Sequence, residues 1–364
     1  MDQSTHADIG DYLKVFACSA VMLQTVLAFV LSTGLTHPQQ IGVGLTYNLV
    51  KFAAPAFIFG ILYTTTRTHP HANLTSYPHY LHKQWSVLFV PTICWTFIYL
   101  FTMPQLQQQK HFTDLLTFCW QFINGNAAPH LWYNTMMLQF IILMPIFWKI
   151  SQFVDHSIDR CRLVIFTTIV IFALWIAVYD QDVFHGPKMR SWYLFDRIFL
   201  SFGLYAVLGT LTWNFHEQLS RFLKNFWWIF LIGLGVIYYW TNQELFKFGF
   251  PVKLYNATYY KPSMILYSLC VIALIISFAC YQIRKHQIKS LTLFHWLAIY
   301  AHRAFLSHVF WLELFWIFFG KAALKDTQPV IVIIILYIFT WLLAFASAYD
   351  LHVIWSKIKT RLKV

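Results

Sequence analysis

The chain has 364 residues, of which 59% are hydrophobic, 20% aromatic and only 11% charged; an ordinary soluble domain carries about 25% charged residues. The apolar fraction would fill about ten spanning helices of ~20 residues each, which excludes a soluble enzyme, a disordered chain and a disulfide-stapled secreted domain. Lys and Arg number 26 against 14 Asp and Glu, a formal charge of +12, and in so apolar a chain this excess reads as membrane topology and attraction to an anionic leaflet, with no call for nucleic acid.

The N-terminus carries Asp2, Asp8 and Asp11 instead of a basic n-region, and no small-residue cleavage site follows, so the first apolar stretch is expected to persist as a helix. Spanning stretches are expected near residues 12–34, 45–66, 85–103, 131–150, 162–180, 192–213, 225–241, 262–282, 303–320 and 329–349. The ninth is short, and the apolar run from His295 to Tyr300 offers it an earlier start. No repeat or Pro/Gly/Ser-rich linker divides the sequence. The expectation is an all-α polytopic membrane protein: a single domain over residues 1–350, then a basic tail over 351–364. With ten passes both termini share a side. That side holds fourteen Lys and Arg against eight opposite (Lys110, Lys188 and Arg190 among the eight), which places both ends in the cytoplasm. Trp and Tyr gathered at segment ends, as in Trp192-Tyr193, form interfacial belts.

An ionisable side chain inside a span costs about 2.5–3.5 kcal/mol on insertion scales, so each one is a functional candidate. In the first span Lys14 lies near the start and Gln24-Thr25 near the middle. Lys14 and Thr25 are eleven residues apart, three helical turns plus about 20°, so they share a face with about 16 Å between them. Lys51 precedes Pro55 by four positions, where a freed backbone carbonyl predicts irregular structure lining a cavity. His130-Leu131-Trp132 opens the fourth span on the outer side, and Asp196-Arg197 opens the sixth. The ninth carries His302, Arg303, His308 and Glu313, with Arg197 or Lys51 as the expected partner of Glu313. His302 and His308, six apart, lie on different helix faces, and the six Cys occur singly, so no metal site is expected.

These segments, taken in order, resemble the acyltransferase-3 family of integral membrane acyltransferases, in particular its polysaccharide-modifying relatives of Gram-positive type. The run from Lys14 to Thr25 is similar to a first helix in which a basic residue is followed eleven positions on by a histidine. Lys51 to Gly60 resembles a basic-then-Pro-x-Phe second helix, and Val90-Pro91 to Trp95 the third. His130-Leu131-Trp132-Tyr133 with Pro145 resembles the fourth, and Phe305-Leu306-Ser307-His308 a late tyrosine-leucine-x-histidine signature. The resemblance covers residues 12 to about 310. It implies ten helices, a multi-pass protein of the cell membrane, and transfer of an acyl group, acetyl in many relatives, from cytoplasmic acyl-CoA to an envelope glycan or lipid-linked sugar. Acyl-CoA is then a donor substrate, and no bound cofactor is expected.

The sequence departs from the pattern at Thr25, where the family has histidine, and at Lys14, which lacks the bidentate reach of arginine. On this reading Lys14, Thr25, His130 and His308 are the catalytic candidates, with His130 or His308 as base. Gln24, Lys51, Trp132, Arg197, Arg303 and Glu313 are the substrate-binding candidates. The missing histidine leaves an alternative open, a non-enzymatic membrane protein assisting export or assembly of a surface polysaccharide.

Overall fold

The computed structural model describes residues 6–109, 111–184 and 193–362, so Lys110, Lys188, Arg190, Trp192 and Lys363 lie outside the described residues. No strand occurs among those described. The helices are α1 (Ile9–Leu31), α2 (His37–Leu49), α3 (Ala53–Thr68), α4 (Tyr77–Thr102), α5 (Leu115–Ile123), α6 (Trp132–Ile142), α7 (Met144–Val154), α8 (Ile158–Tyr179), α9 (Gly203–Asn214), α10 (His216–Phe246), α11 (Pro262–Arg284), α12 (Ile288–Phe315) and α13 (Pro329–Leu362). Among the described residues eight spans are long and apolar enough to cross a membrane, α2 and α3 forming one of them. The pair α6–α7, bent by 54°, makes a ninth.

The stretch expected as the sixth span is built differently. Two 3-10 turns, Tyr193–Arg197 and Phe199–Phe202, precede the short α9. It still runs from one end of the bundle to the other. At its start Arg197 bonds Asn124 and Asn126. At its finish Asn214 bonds Ser151, on α7. The Asn214 end is the one where Asp8 pairs with Arg67, Arg284 meets Ser220 and His295 meets Asp11. His352, late on α13, lines a cavity there together with Lys14 and Arg67, so the first and last helices begin and finish at the same end of the bundle, called its inner end from the expected topology. The ninth span starts well before residue 303, because α12 begins at Ile288 and takes in His295–Tyr300. The last helix continues to Leu362, carrying residues 351–362 as helix beyond the expected boundary at 350.

The second span breaks where Pro55 requires it. Proline has no N–H, so the Lys51 carbonyl loses its helical donor, and α2 and α3 are separated by Val50, Lys51 and Phe52. Two of the freed carbonyls are met by other helices: Tyr267 of α11 donates to Leu49 O at 2.7 Å, and the Gln24 amide of α1 donates to Val50 O. A buried unpaired carbonyl in hydrocarbon costs several kcal/mol, so these bonds make the break tolerable.

The centre of the bundle is α1, the second span, α11 and α12, each more than half buried, whereas α8 and α10 have only 6% buried and form the periphery. Close backbone approach holds the centre. A methyl group added at Gly209 of α9 would collide with the Phe59 carbonyl of α3, so only glycine permits this crossing.

Candidate functional site

The inner end of the bundle encloses a cavity of about 750 Å³. Lys14 of α1, Arg67 of α3 and Lys83 of α4 line it with the imidazoles of His69, His295, His302 and His352. Asp8 caps α1, accepting from Asp11 N at 2.8 Å, and pairs with Arg67 at 2.8 Å. Asp11 accepts from Lys14 at 3.4 Å and from His295 at 2.8 Å. Neither carboxylate lines the cavity, so they fix the cations from behind and the cavity presents positive groups. His302 has no hydrogen-bond partner on either ring nitrogen.

A second cavity, of about 540 Å³, lies toward the outer end. Gln24, Thr25, Lys51, His130, Trp132 and Glu313 are among its walls, with Tyr47, Gln105 and Tyr259. Phe57 of α3, Tyr133 of α6 and Phe305 of α12 line both cavities. Their ring centroids stand 5.5, 5.9 and 5.5 Å apart, a three-ring wall between the two spaces.

His130 sits at the end of a loop whose shape is strongly determined. Gly125 has φ +73°, and a Cβ there would fall 2.6 Å from the Leu131 carbonyl, so the turn requires glycine. Arg197, buried, donates through Nε to Asn124 O at 2.7 Å and through Nη2 to Asn126 Oδ1 at 2.8 Å, tying the loop down. His130 Nε2 lies 3.3 Å from Leu306 O. A carbonyl only accepts, so Nε2 carries the proton and Nδ1 the lone pair. That Nδ1 has no hydrogen-bond partner. The Tyr99 hydroxyl steadies the same carbonyl, donating to Leu306 O at 2.9 Å and accepting from Phe310 N at 2.9 Å. Burial, and then the adjacent His308 ring, hold His130 well below the usual imidazole range, so it is neutral at physiological pH.

His308 completes the centre. Its Nδ1 lies 2.6 Å from Phe305 O and carries the proton by the same reasoning, leaving the Nε2 lone pair 3.1 Å from Thr25 Oγ1. The rings of His130 and His308 meet edge to face at 4.7 Å. Thr25, which stands where the family resemblance leads one to expect a histidine on α1, thus meets the imidazole of α12.

Gln24, Thr25, Lys51, His130, Trp132 and Glu313 thus gather at one cavity, and His308 touches it through Thr25. Lys14 lines the inner cavity instead, on the other side of the aromatic wall. Glu313 pairs with neither Arg197 nor Lys51, since its carboxylate accepts from the Gln105 amide at 3.2 Å. Arg197 is engaged with the Asn124–Asn126 loop, and Lys51 donates to the Tyr47 hydroxyl at 3.1 Å and lies 4.1 Å over the Tyr259 ring. Arg303 lines neither cavity. Sequence reasoning did not single out Arg67, Lys83, Tyr99, Tyr133 or Tyr259 as site residues. Tyr133 adjoins Trp132 in a segment already notable, while the others carry no local signal. Among the described residues no three His, Cys, Asp or Glu side chains converge as a metal site.

The fold is that of a polytopic helical membrane protein with two chambers, one lined by cations and the other by a hydroxyl beside imidazoles, and an aromatic wall between them. The comparison with known families agrees: the model described as an acyltransferase domain, of the acyltransferase-3 type, matches residues 10–349, and the chain belongs to that family. It is therefore a membrane acyltransferase by family. No curated protein and no solved structure matches it.

Proposed function

We propose that the protein takes an acyl group, acetyl in the simplest case, from cytoplasmic acyl-CoA and places it on a hydroxyl of an envelope glycan or lipid-linked sugar at the outer face of the cell membrane. The observation that carries this reading is the pair of chambers sharing the Phe57–Tyr133–Phe305 wall, with cations in one and unprotonated imidazole nitrogens at the other. Lys14, Arg67 and Lys83 suit the phosphates of the donor through charge-assisted hydrogen bonds. His130, neutral and with a free Nδ1, suits general-base removal of a proton from an acceptor hydroxyl, worth typically 10²–10⁴-fold in rate. Trp132, Tyr47 and Tyr259 offer ring faces of the kind against which a sugar packs, and Glu313 with Gln105 offers hydrogen-bond acceptors and donors to its hydroxyls.

Export of a polymer fits less well, because three rings close the space between the chambers. The test is transfer of radiolabelled acetyl from acetyl-CoA to envelope glycan in membranes holding the wild type, Lys14→Ala or His130→Ala protein. Label that depends on the protein and falls with both substitutions is expected. Label absent above a deletion control, with surface polymer missing in the deletion strain, would favour export.

A further inference from the structure

The side chain at position 25 has the surroundings of a nucleophile. A hydroxyl within hydrogen-bond reach of a base, the base itself oriented by a third group, is the arrangement that activates a weak nucleophile. Thr25 Oγ1 is 3.1 Å from His308 Nε2, and His308 Nδ1 is fixed by Phe305 O at 2.6 Å. The hydroxyl has one proton and two acceptors, since Val21 O lies 3.0 Å away within α1, so rotation about one bond delivers the proton to either. Thr25 lines the outer chamber, and Phe305, whose carbonyl orients the base, places its ring in the dividing wall.

We propose that Thr25 is a transient acyl carrier, so that transfer proceeds through a covalent acyl-threonine ester on the outer side of the wall. The inference rests on the acyltransferase reading above. In the first half, Thr25 Oγ1 attacks the thioester carbonyl of acyl-CoA while His308 Nε2 takes the hydroxyl proton. The new C–O bond forms, the C–S bond breaks, and the proton passes from His308 to the departing thiolate, giving free CoA and acyl-Thr25. In the second half, an acceptor hydroxyl attacks the ester carbonyl and gives its proton to His130 Nδ1. The C–Oγ1 bond breaks, Thr25 recovers its proton from the imidazole pair, and the acylated acceptor leaves. No oxidant or further reactant is consumed.

The placement explains why a carrier serves this protein. Lys14 and Thr25 share a face of α1 about 16 Å apart by helical rise, one at each chamber. A donor whose phosphates stay with Lys14, Arg67 and Lys83 need only extend its acyl end past three rings. Once the ester has formed, CoA withdraws and the acceptor never meets the thioester.

The experiment is incubation of the full-length protein in membranes with radiolabelled acetyl-, butyryl- and octanoyl-CoA, without and then with acceptor glycan. Label is followed on the protein and on glycan, and the modified residue is located by mass spectrometry. The wild type is expected to hold label at Thr25 without acceptor and to lose it to glycan when acceptor is added. Thr25→Val, nearly the same shape without the hydroxyl, should hold none and lose glycan acylation roughly a hundredfold or more. Thr25→Ser, which restores a hydroxyl at the same position, should recover the protein-bound label and the glycan acylation that Thr25→Val lacks. His308→Gln combined with Thr25→Val should cost little more than either alone, because residues acting as a unit are not additive. Glycan labelled at the wild-type rate by Thr25→Val, or with no protein-bound label under any donor, overturns the carrier and leaves the acyltransferase. Label on neither protein nor glycan overturns both.

Discussion

Gly125→Ala tests whether the loop before α6 exists to place His130. The added methyl carbon would lie 2.6 Å from Leu131 O and 2.7 Å from both Leu131 C and Trp132 Cα, all backbone atoms that cannot rotate away. Restoring a 3.4 Å contact from 2.6 Å requires 0.8 Å of movement, borne by the residues next to His130. The left-handed backbone at φ +73° adds about 1–2 kcal/mol of strain for a residue with a Cβ. A shift near 1 Å at a reacting group can cost on the order of 10² in rate. The expected result is acyl transfer reduced about a hundredfold in membrane vesicles, with the helical circular dichroism and expression level of the wild type. Gly34→Ala is the control. It has φ +79° but nothing within 4 Å of the added atom, so it carries the strain without the clash and should transfer normally. A Gly125→Ala protein with the wild-type rate, or a Gly34→Ala protein equally impaired, would refute the argument that the loop positions His130 by close backbone contact.

Other substitutions separate the roles of the two chambers. His130→Gln should lower the rate by roughly 10²–10⁴-fold. Because burial and His308 depress the His130 pKa, the base is already unprotonated as pH rises through 6.5, so the wild-type pH–rate profile should lack an acid limb near that value, which a titration from pH 5 to 8 will check. Lys14→Met should raise KM for the donor more than it lowers kcat, and the difference should shrink in high salt. Phe57→Ala removes one ring of the wall: about 3–5 kcal/mol of stability should be lost in detergent melts, and CoA release without acceptor should increase as water reaches the acyl group. Arg197→Met removes the donors to Asn124 O and Asn126 Oδ1, about 1 kcal/mol or more for each bond lost. Its melting temperature and transfer rate should therefore fall together.

Much of the architecture was legible because the bilayer imposes local rules. A multi-pass helical bundle follows from apolar length, although the described residues hold eight such spans and a bent ninth where ten regular ones were expected; the irregular backbone beside Lys51 follows from Pro55, and the shared face of Lys14 and Thr25 follows from helical periodicity. The site was legible only as a set of polar residues that had to be accounted for. Thr25 and His308 are separated by 283 positions, and no period connects them. The pairing of Glu313 depended on which helices flank α12 at its outer end. There Gln105, just after α4, comes within reach, while Arg197 is held by Asn124 and Asn126 and Lys51 by Tyr47. The 3-10 turns before α9 escaped notice because the residues are apolar enough to read as a continuing span. Tyr99, Tyr133 and Tyr259 were hidden by composition: with 20% aromatic residues, an interfacial belt explains any one of them.

The two imidazoles at the centre also bear on the threonine. A histidine at position 25 would compete for the space in which His308 now meets Thr25, and His308 would lose its 3.1 Å contact. With threonine there, His308 reaches the hydroxyl and lies 4.7 Å from His130, ring to ring. Two positive imidazolium rings at that separation in a buried site would repel, so a proton taken up by one ring disfavours a second on the other. Each half of a carrier reaction takes up one proton from a hydroxyl and returns one to a leaving group. A pair limited to a single proton is matched to that stoichiometry. Thus the residue that departs from the family pattern and the histidine that faces it form one chemical unit, and loss of either the hydroxyl or the imidazole should disable the other.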